Sequence, residues 1–514
     1  MSKTIIIIGA GLAGLSAALQ AAENGCNVKL VSSFPSERAQ SVMAEGGINA
    51  ALNTKDENDS PEEHFTDTIK AACGLADPNA VWGMTQAAPE LVHWLLKLGV
   101  KFNMSGYDDV DLRNFGGQKK KRTAFAQSDT GKQIMTAMID AVRRKEASGM
   151  VERFSHHSFL TLRLCGNICC GCVIRDEYSQ ETVELPGDAV IVATGGMHGL
   201  FGNTTGSLSN TGEVTAELFR LGVPLANGEM IQYHPTTVKC GGKRMLISEA
   251  ARGEGGRLFA MKDGKQWYFM EEKYPELGNL MPRDITAREI WKVSHESEVF
   301  LDMTEISEEI ISNKLSGLAD DCMTYLHKDI RKEPVPVLPG IHYFMGGILV
   351  DEQHRTSIQN LYAAGECCAQ YHGANRLGGN SLLGALYGGR VAAKSACEQA
   401  DVVDLSCATQ IDFPPASQIS EIKQLNKVMQ ETMGVVRNEN TLLNGIQTVQ
   451  ALTGNLPLLG MAVLKSALAR KESRGAHWRE DYPKSNDNDY LKTTVARFDG
   501  KQIQISFVPV PERR

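Results

Sequence analysis

The sequence predicts an α/β fold with a Rossmann-like dinucleotide-binding domain, an inserted α+β capping domain and a C-terminal helical domain. The first observation is a β-branched run that ends in glycines, before a helix pattern and a second β-branched run, between residues 4 and 33. The second is a return to strand-then-glycine in LYAAGE, residues 361–366. The third is apolar residues at helical spacing after residue 418, namely Ile419, Ile422, Leu425, Met429 and Met433.

The N-terminal segment reads TIIII, GAGLAG, LSAALQAAENG and NVKLVSS in turn. This order predicts a right-handed βαβ unit. Gly9, Gly11 and Gly14 have the G-x-G-x-x-G spacing of a dinucleotide site. The first glycine permits the tight turn, the second lets the backbone approach a pyrophosphate, and the third lets helix and strand pack closely. The phosphates would lie at the positive end of the helix.

An acidic residue usually ends the second strand of such a unit and binds a ribose hydroxyl. Here the strand ends in serines, so we expect Ser32 to take that hydroxyl. Two later strand ends with glycine, Ala193-Thr194-Gly195 and Ala364-Gly365-Glu366, are expected to add contacts to the cofactor. The carboxylate of Glu366 can accept from a ribose or ribityl hydroxyl, and the alternative is an exposed loop acid.

Other elements follow from pattern. Short helical patterns with loops are expected from Ala44 to Phe125, a β-hairpin region from Val151 to Gly196, and irregular α+β structure from Thr236 to Gly340 with an amphipathic stretch at Glu305–Leu326. The segment NSLLGALYGGRVAAKSACEQA predicts an apolar helix, and a Pro- and Ser-rich linker at Phe413–Ser417 marks a boundary. We expect the dinucleotide-binding domain at 1–235 and 342–410, the capping domain at 236–341, the helical domain at 414–496 and a tail at 497–514.

Composition limits the class of protein. A chain of 514 residues with 42% hydrophobic and 22% charged residues is typical of a globular protein of two or three domains. A formal net charge of −8 argues against a nucleic-acid partner. No apolar run reaches the roughly 18 residues of a membrane span, and the N-terminal apolar stretch leads into glycines without an A-x-A cleavage site. We therefore expect a cytoplasmic protein, either free or peripheral on the cytoplasmic face of a membrane.

Of the twelve cysteines, four cluster around a predicted turn at Gly166-Asn167, and two are adjacent at Cys367-Cys368. The four are Cys165, Cys169, Cys170 and Cys172. We predict no metal site here, because cysteines of a cytosolic chain are usually reduced, small hydrophobic residues.

Nearly the whole chain carries, in order, the segments GAGLAG, AEGGINAA, NFGGQKKKRTAFAQSDTG, QYHPT, SEAARGEGG, MPRD, HYFMGG, LYAAGE, HGANRLGGNSLL and KSALARKESRGAHWREDYP. In this set and order the sequence resembles the flavoprotein subunits of fumarate reductases and succinate dehydrogenases, with L-aspartate oxidases as near relatives. The resemblance implies FAD as the cofactor and the reduction of fumarate to succinate by hydride transfer from flavin N5. Further FAD contacts are implied for Ala44, Glu45, Gly46, Gly47, Ser381 and Leu382.

The resemblance implies that Arg376, His342 and His234 clamp the two carboxylates of a C4 dicarboxylate. Ser248 stands where the family often has threonine and can make the same hydrogen bond. The chemistry agrees, because a dianion needs fixed positive and hydrogen-bonding groups at both ends, and arginine can hold a carboxylate through two parallel bonds.

The resemblance further implies that Arg283 donates the proton to the substrate carbon and that Glu249 and Arg252 relay protons to it from solvent. Glu249 and Arg252 are three positions apart and would share one face of a helical turn. The residues alone favour His234 or His342 as the acid, because an arginine pKa above about 12 is far from the usual optimum. In the other alternative, Arg252 and Arg283 are only structural ion-pair partners.

Two positions depart from the family pattern. Many members attach FAD covalently to a histidine a few residues before A-E-G-G, but Gln40 occupies that place and no histidine occurs before His64. We therefore expect FAD to be bound non-covalently, which in the family is associated with the reductive direction. Phe344 replaces a small polar residue of many relatives and is expected to reshape the pocket.

Alternatives differ in substrate and partner. L-aspartate oxidases usually carry a glutamate where this chain has the substrate-facing Phe115 of NFGG. Further possibilities are a succinate dehydrogenase subunit, a reductase of another unsaturated acid, and a flavin-dependent RNA-modifying or purely flavin-binding protein. The basic run Lys119–Arg122 is expected to be a solvated surface. Family members with this tail commonly pass electrons to an iron–sulfur subunit, which would connect the chain to a membrane anchor, whereas some relatives act alone.

Overall fold

The computed structural model describes residues 2–106, 109–207, 209–401, 411, 413 and 418–514. Of the expected linker Phe413–Ser417, all but Phe413 lies outside the described residues. The expected domain boundaries therefore stay a prediction. No helix in the part of the chain that the structure describes is both long and apolar enough to cross a membrane.

The helices vary from 4 to 21 residues in length. Those among the described residues are Leu12–Glu23, Pro61–Ala71, Pro78–Leu98, Thr130–Ala147, Glu213–Arg220, Glu249–Gly253, Phe269–Lys273, Arg283–Val293, Glu308–Lys314, Ser316–Asp321, Asn380–Gln399, Ile419–Thr432, Glu439–Val449, Asn455–Ala469 and Asp487–Tyr490.

A five-stranded sheet, parallel throughout, forms the centre of the dinucleotide-binding part. Its strands are, in spatial order, Leu361–Ala363, Ala189–Val192, Thr4–Ile8, Asn27–Ser32 and Val151–Ser155. The N-terminal strand is central, and the predicted βαβ unit is confirmed. Ligands of open α/β sheets bind beyond the carboxyl ends of the strands.

Two helices pack closely on this sheet, Leu12–Glu23 and Asn380–Gln399. Ser16 Oγ donates to the Leu386 carbonyl at 2.7 Å. A Cβ on Gly389 would lie 2.3 Å from the Ala13 carbonyl oxygen, so only glycine permits this approach. The predicted apolar helix after Gly379 is confirmed.

The described residues form five further sheets. In spatial order their strands are Cys368–Ala369, Gly347–Leu349, Leu225–Ala226, Lys492–Phe498 and Ile503–Pro509; Lys243–Leu246, Ile231–Cys240 and Leu338–Phe344; Lys265–Trp267, Arg257–Lys262, Val299–Asp302 and Val335–Pro336; Ile48–Asn49, Thr123–Ala124 and Leu112–Arg113; and His157–Cys165, Ile168–Asp176 and Thr182–Pro186.

The region expected to form the capping domain has α+β structure with its own buried cluster, which includes Leu258, Ile290 and Leu301. The amphipathic stretch at Glu305–Leu326 folds into two short helices and a wide final turn. These observations agree with the predicted fold class.

The C-terminal region begins with three packed helices, as predicted, but ends in a hairpin, Lys492–Pro509, that adds two strands to the sheet of Leu225–Ala226. The chain end then returns to the first half of the molecule. The Arg513 guanidinium lies 3.8 Å from the ring centre of Trp82 and 4.9 Å from that of Phe65.

A network of fully or nearly fully buried charges holds the C-terminal region to the rest of the chain. Arg470 donates to Glu229 Oε1 and to Glu472 Oε1, both at 2.7 Å. Arg474 donates to both oxygens of Glu472, at 2.8 and 2.9 Å. Arg470, Glu229 and Glu472 have no exposed side-chain surface, so each charge depends on its partners.

Two expectations about the first part of the chain need correction. The segment Ala44–Phe125 contains a 21-residue helix, Pro78–Leu98, and not only short ones. Arg122, expected on a solvated surface, is fully buried between Asp59 and Asp67, at 2.9 and 3.0 Å, because its charge is paired there.

The cysteine cluster departs from expectation at one position. Cys169, Cys170 and Cys172 are free and buried on the strand Ile168–Asp176, as predicted. Cys165 is disulfide-bonded. It is half-buried at the end of the preceding strand and is not the reduced, small hydrophobic residue that was expected.

Candidate active site

A cavity of about 480 Å³ lies along the carboxyl ends of the central sheet. Every predicted cofactor residue except Gly14 lines it: Gly9, Gly11, Ser32, Ala44, Glu45, Gly46, Gly47, Ala193, Thr194, Gly195, Glu366, Ser381 and Leu382. Gly14 lies behind the wall, where an added Cβ would meet the Gly9 carbonyl oxygen at 1.8 Å.

The lining residues fit the polar parts of FAD. Gly9 has a φ of +112°, and a Cβ there would lie 2.3 Å from the Ala193 carbonyl oxygen. A Cβ on Gly11 would meet nothing closer than 3.7 Å, so this turn faces open space at the start of a helix, where a pyrophosphate can bind. Ser32 Oγ is buried and has no hydrogen-bond partner among the described residues, which leaves it free for a ribose hydroxyl.

Glu366 is not the exposed loop acid of the alternative interpretation, since its side chain is only 12% exposed. Its Oε1 accepts from the Phe344 backbone N–H at 3.0 Å. The carboxylate is thus fixed at the cavity wall.

Gln40 also lines the cavity. Its Oε1 accepts from the Ser207 backbone N–H at 2.5 Å, which holds the amide in place. An amide at this position has no nucleophilic ring nitrogen to form a bond to a flavin.

The predicted substrate residues lie on another wall of the same cavity. His234, Ser248, His342, Arg376 and Phe115 all line it. His342 is half-buried, and the other four are at most 4% exposed. The strands that carry the two histidines are antiparallel neighbours, and the ring centres are 5.2 Å apart.

Positive and hydrogen-bonding groups are concentrated here. Burial, followed by the nearby Arg283 charge, holds the pKa of His234 and of His342 well below the usual value, so both rings are neutral. Burial and Arg283 also lower the pKa of Arg376 to about 9. Arg376 Nε is buried without a hydrogen-bond partner among the described residues. An unpaired buried guanidinium is costly, so an anion is its natural partner.

Arg283, Glu249 and Arg252 form one continuous chain of contacts. Arg283 donates from Nε and Nη2 to Glu249 Oε2, at 2.8 and 2.6 Å. Arg252 Nη2 lies 3.4 Å from Glu249 Oε1, and its Nη1 donates to the Asn279 carbonyl at 2.6 Å. Arg283 and Glu249 line the cavity and Arg252 does not, so the chain leads away from it.

Glu249 is ionised in this arrangement. Burial raises the pKa of Glu249, but the nearby charges of Arg283 and Arg252 lower it by more, so the net shift is downward. The Gly116 backbone N–H donates to Glu249 Oε1 at 3.2 Å, and a Cβ on Gly116 would lie 2.6 Å from the same oxygen. The glycine pair of NFGG therefore gives the backbone close access to this carboxylate.

Two positioning residues were not predicted. Gln232 Oε1 accepts from Arg283 Nη1 at 3.1 Å, and Gln232 Nε2 donates to the Arg376 carbonyl at 2.9 Å. Gln232 could have been found from its spacing, because it precedes His234 by two residues on the same strand and side chains two apart share one face. Thr205 Oγ1 lies 2.8 Å from His342 Nδ1, and nothing in its loop sequence indicated this contact.

The expectation that Phe344 reshapes the pocket is wrong. Phe344 does not line the cavity, whereas its neighbour Tyr343 does. The Phe344 ring packs on His198 and Phe201, with ring centres 4.9 and 5.7 Å away, because burial in this apolar cluster is favourable for a phenyl ring.

Comparison with known proteins agrees with this geometry. Residues 4–382 match the family described as FAD binding domain, and residues 452–513 match that described as fumarate reductase flavoprotein C-term. The chain is 38% identical to a succinate dehydrogenase flavoprotein subunit of Bacillus subtilis, over 100% of this chain and 98% of the relative. It is 32% identical to an 8-methylmenaquinol:fumarate reductase flavoprotein subunit of Wolinella succinogenes, over 100% and 92%.

Among solved structures, an E. coli quinol fumarate reductase flavoprotein with a single substitution superposes with a TM-score of 0.90. The two are 28% identical, and the match covers 99% of this chain and 97% of the other.

Proposed function

Because this chain belongs to the family of fumarate reductase and succinate dehydrogenase flavoproteins, which are FAD-dependent oxidoreductases acting on CH–CH bonds, we propose that it reduces fumarate to succinate. The observation that carries the proposal is Arg376 Nε, which is buried without a hydrogen-bond partner among the described residues. Arg376 shares one cavity with the Arg283–Glu249 pair and the predicted FAD-binding residues.

The residues of the cavity supply binding and orientation. Arg376, His342, His234 and Ser248 hold the two carboxylates, and the neutral rings donate hydrogen bonds without adding charge. FAD, when bound, supplies the hydride. Polarisation of one carboxylate and fixed orientation together lower the barrier by charge stabilisation and proximity.

Arg283 donates the proton to the substrate carbon in this proposal. Its guanidinium is held at three nitrogens by Glu249 and Gln232, so its position is fixed in a water-poor site. Arg252, which contacts Glu249 and extends toward the Asn279 carbonyl, is the outer end of the route by which Arg283 is reprotonated.

The proposal favours fumarate over aspartate. Phe115 is 2% exposed and lines the cavity where an amine-facing acid would be needed. The α-ammonium of aspartate would enter the site unpaired, at a cost of several kcal/mol if fully desolvated. Gln40 supports a non-covalent flavin and hence the reductive direction. Succinate oxidation is the second candidate, supported by the Bacillus subtilis relative.

The test is a side-by-side assay of purified holoenzyme, with reduced viologen for fumarate and an artificial acceptor for succinate and L-aspartate. We expect kcat/KM for fumarate to be much higher than for succinate, and aspartate turnover to be negligible. A higher kcat/KM for succinate than for fumarate establishes the second candidate, and aspartate turnover above fumarate turnover rejects both. The Arg376→Lys variant is the control, since it should retain FAD and lose turnover with either dicarboxylate.

We also propose that the chain acts as one subunit of a larger assembly, with an iron–sulfur subunit as its electron donor and a peripheral position on the cytoplasmic face of the membrane. The support is the name of the Wolinella succinogenes relative, a flavoprotein subunit of a menaquinol-dependent reductase. Co-purification of an iron-containing chain from its native membrane fraction tests this, and recovery of active protein only as a free single chain contradicts it.

A further inference from the structure

Two free cysteines meet at the end of the helix pair that flanks the cofactor cavity. Cys26 precedes the strand Asn27–Ser32, and Cys397 lies near the end of the helix Asn380–Gln399. Cys26 Sγ is 3.0 Å from Cys397 Sγ, although the residues are 371 positions apart in sequence. Both thiols are free.

The surroundings of the pair are ordered on both sides. Lys3 Nζ donates to the Cys397 carbonyl at 2.8 Å. The Cys26 backbone N–H donates to the Ala21 carbonyl at 3.0 Å. A disulfide needs a sulfur–sulfur distance of about 2.04 Å, so closing the pair requires a movement of only about half an ångström from each sulfur.

The two thiols differ in access. Cys26 is 6% exposed, whereas Cys397 is half-buried. A small oxidant therefore reaches Cys397 first, and Cys26 is placed to resolve the product. Burial raises the pKa of Cys397 to about 12, so the thiol form is the resting state.

We propose that Cys26 and Cys397 form a reversible disulfide on exposure to hydrogen peroxide or another hydroperoxide. The small thiolate fraction of Cys397 attacks the peroxide slowly, the O–O bond breaks, and the cysteine becomes a sulfenic acid with release of water. The Cys26 sulfur then attacks the sulfenic sulfur, a second water leaves, and the disulfide forms. The two thiols lose two electrons in total and the peroxide gains them, and a dithiol reductant reverses the reaction.

The crosslink acts on the cofactor site through the elements it joins. The helix that carries Cys397 begins with residues that line the cavity, Ser381 and Leu382, and the strand after Cys26 ends at Ser32, which also lines it. The disulfide joins the far ends of these two elements and limits their separation. Oxidised holoenzyme therefore releases FAD more slowly in a chaotropic salt than reduced holoenzyme does.

The experiment treats native holoenzyme with hydrogen peroxide and maps its peptides without reduction. We expect one linked peptide containing Cys26 and Cys397, lighter than the sum of its parts by two hydrogen atoms, and its loss on treatment with dithiothreitol. In Cys26→Ser the sulfenic acid at Cys397 cannot resolve and is trapped by dimedone. Cys73→Ser is the matched control, because Cys73 is also half-buried and free, and this variant should form the linked peptide normally.

Each result has a defined meaning. Oxidation of other cysteines without the linked peptide overturns the proposal, as does an absence of dimedone-labelled Cys397 in the oxidised Cys26→Ser variant. A linked peptide with an unchanged half-time of FAD release overturns the effect on the cofactor site. Slower release that is absent in both Cys26→Ser and Cys397→Ser supports it. None of these readouts depends on the identity of the substrate.

Discussion

Arg283 is the residue at which the proposed chemistry is most directly tested. Its guanidinium contacts Glu249 and Gln232 and lines the cavity. Arg283→Ala should lower kcat for fumarate reduction at least about 100-fold, because a general acid typically contributes 10²–10⁴-fold, while FAD remains bound. Steady-state kinetics and the flavin absorbance of the purified variant measure both effects.

Arg288 provides a matched control for this substitution. It lies in the same helix, its guanidinium is 4.0 Å from the ring centre of Trp478, and it does not line the large cavity. Arg288→Ala should leave kcat nearly unchanged. If Arg283→Ala keeps more than about a tenth of the wild-type kcat, the assignment of a general acid is wrong.

Glu45 gives the site a pH dependence. Burial, followed by the nearby Asp321 charge, raises the pKa of Glu45 to about 8, so its carboxyl is neutral at pH 7 and becomes charged as pH rises through about 8. A new negative charge beside Ser248 repels a dianionic substrate. We expect kcat/KM for fumarate to fall as pH rises through about 8, and Glu45→Gln to remove this inflection. An identical pH profile in wild type and Glu45→Gln would exclude Glu45 as the titrating group.

Gln40 leads to a prediction about attachment of the cofactor. The side chain has no ring nitrogen and is held by the Ser207 backbone N–H. Acid precipitation of the holoenzyme should release all flavin into the supernatant. Flavin fluorescence that stays with the denatured band on a gel contradicts this.

The residue roles differ in how far they follow from sequence. Arg283 and Glu249 were named because each lies in a matched motif, and the fold brings them into contact. Thr205 could not be named, since its contact with His342 joins a loop to a strand 137 positions away. Phe344 was misjudged because sequence does not tell which side of an irregular strand faces the cavity.

At the scale of elements, two glycines of the N-terminal turn have different roles: Gly14 is needed for packing, and Gly11 for cofactor binding. Gly14→Ala places a Cβ 1.8 Å from the Gly9 carbonyl oxygen, so the helix must move away from the strand. Overpacking of this kind costs about 1–3 kcal/mol or more. We expect a lower midpoint of thermal unfolding in both the apo and the FAD-bound protein.

Gly11→Ala is the counterpart. A Cβ at Gly11 makes only ordinary contacts, with Ser41 Oγ at 3.7 Å and Ala39 Cβ at 3.8 Å, but it projects toward the expected pyrophosphate. The apo protein should keep its thermal midpoint while its affinity for FAD falls, as measured by flavin fluorescence titration. A loss of apo stability equal to that of Gly14→Ala would refute the distinction.

Most elements with a clear local pattern were predicted, whereas the C-terminal hairpin, which pairs with a distant strand, was not. The βαβ unit needs only residues 4–32, so strand, turn and helix are visible together. The strands of Lys492–Pro509 pair with Leu225–Ala226, more than 260 residues away, and the sequence around them did not indicate a hairpin. The long helix Pro78–Leu98 was missed because Pro89 interrupts its pattern.

At the scale of the whole molecule, the buried charges around Glu472 hold the C-terminal region in place. The Glu472 side chain is fully buried between Arg470 and Arg474. Glu472→Ala therefore removes the carboxylate that these two arginines share. Breaking such a buried pair costs about 3–5 kcal/mol. We expect a large fall in the midpoint of unfolding by urea.

Glu480 is the control for this prediction, because it is exposed and its side chain bonds only to Asn438 in the part of the chain that the structure describes. Glu480→Ala should change stability by less than about 0.5 kcal/mol, as surface substitutions usually do. Equal effects of the two substitutions would show that the network does not stabilise the fold.

The strand order of the central sheet has a consequence for biosynthesis. The strand Thr4–Ile8 leaves the ribosome early, but the edge strand Leu361–Ala363 and the cavity-lining Ser381 are made more than 350 residues later. At 5–20 residues per second this delay is roughly 20–70 s. Until then the nascent chain has only part of the wall that encloses the flavin. The cofactor is therefore captured late in translation or after release, and shortage of riboflavin should leave full-length apoprotein in the cell rather than stalled fragments.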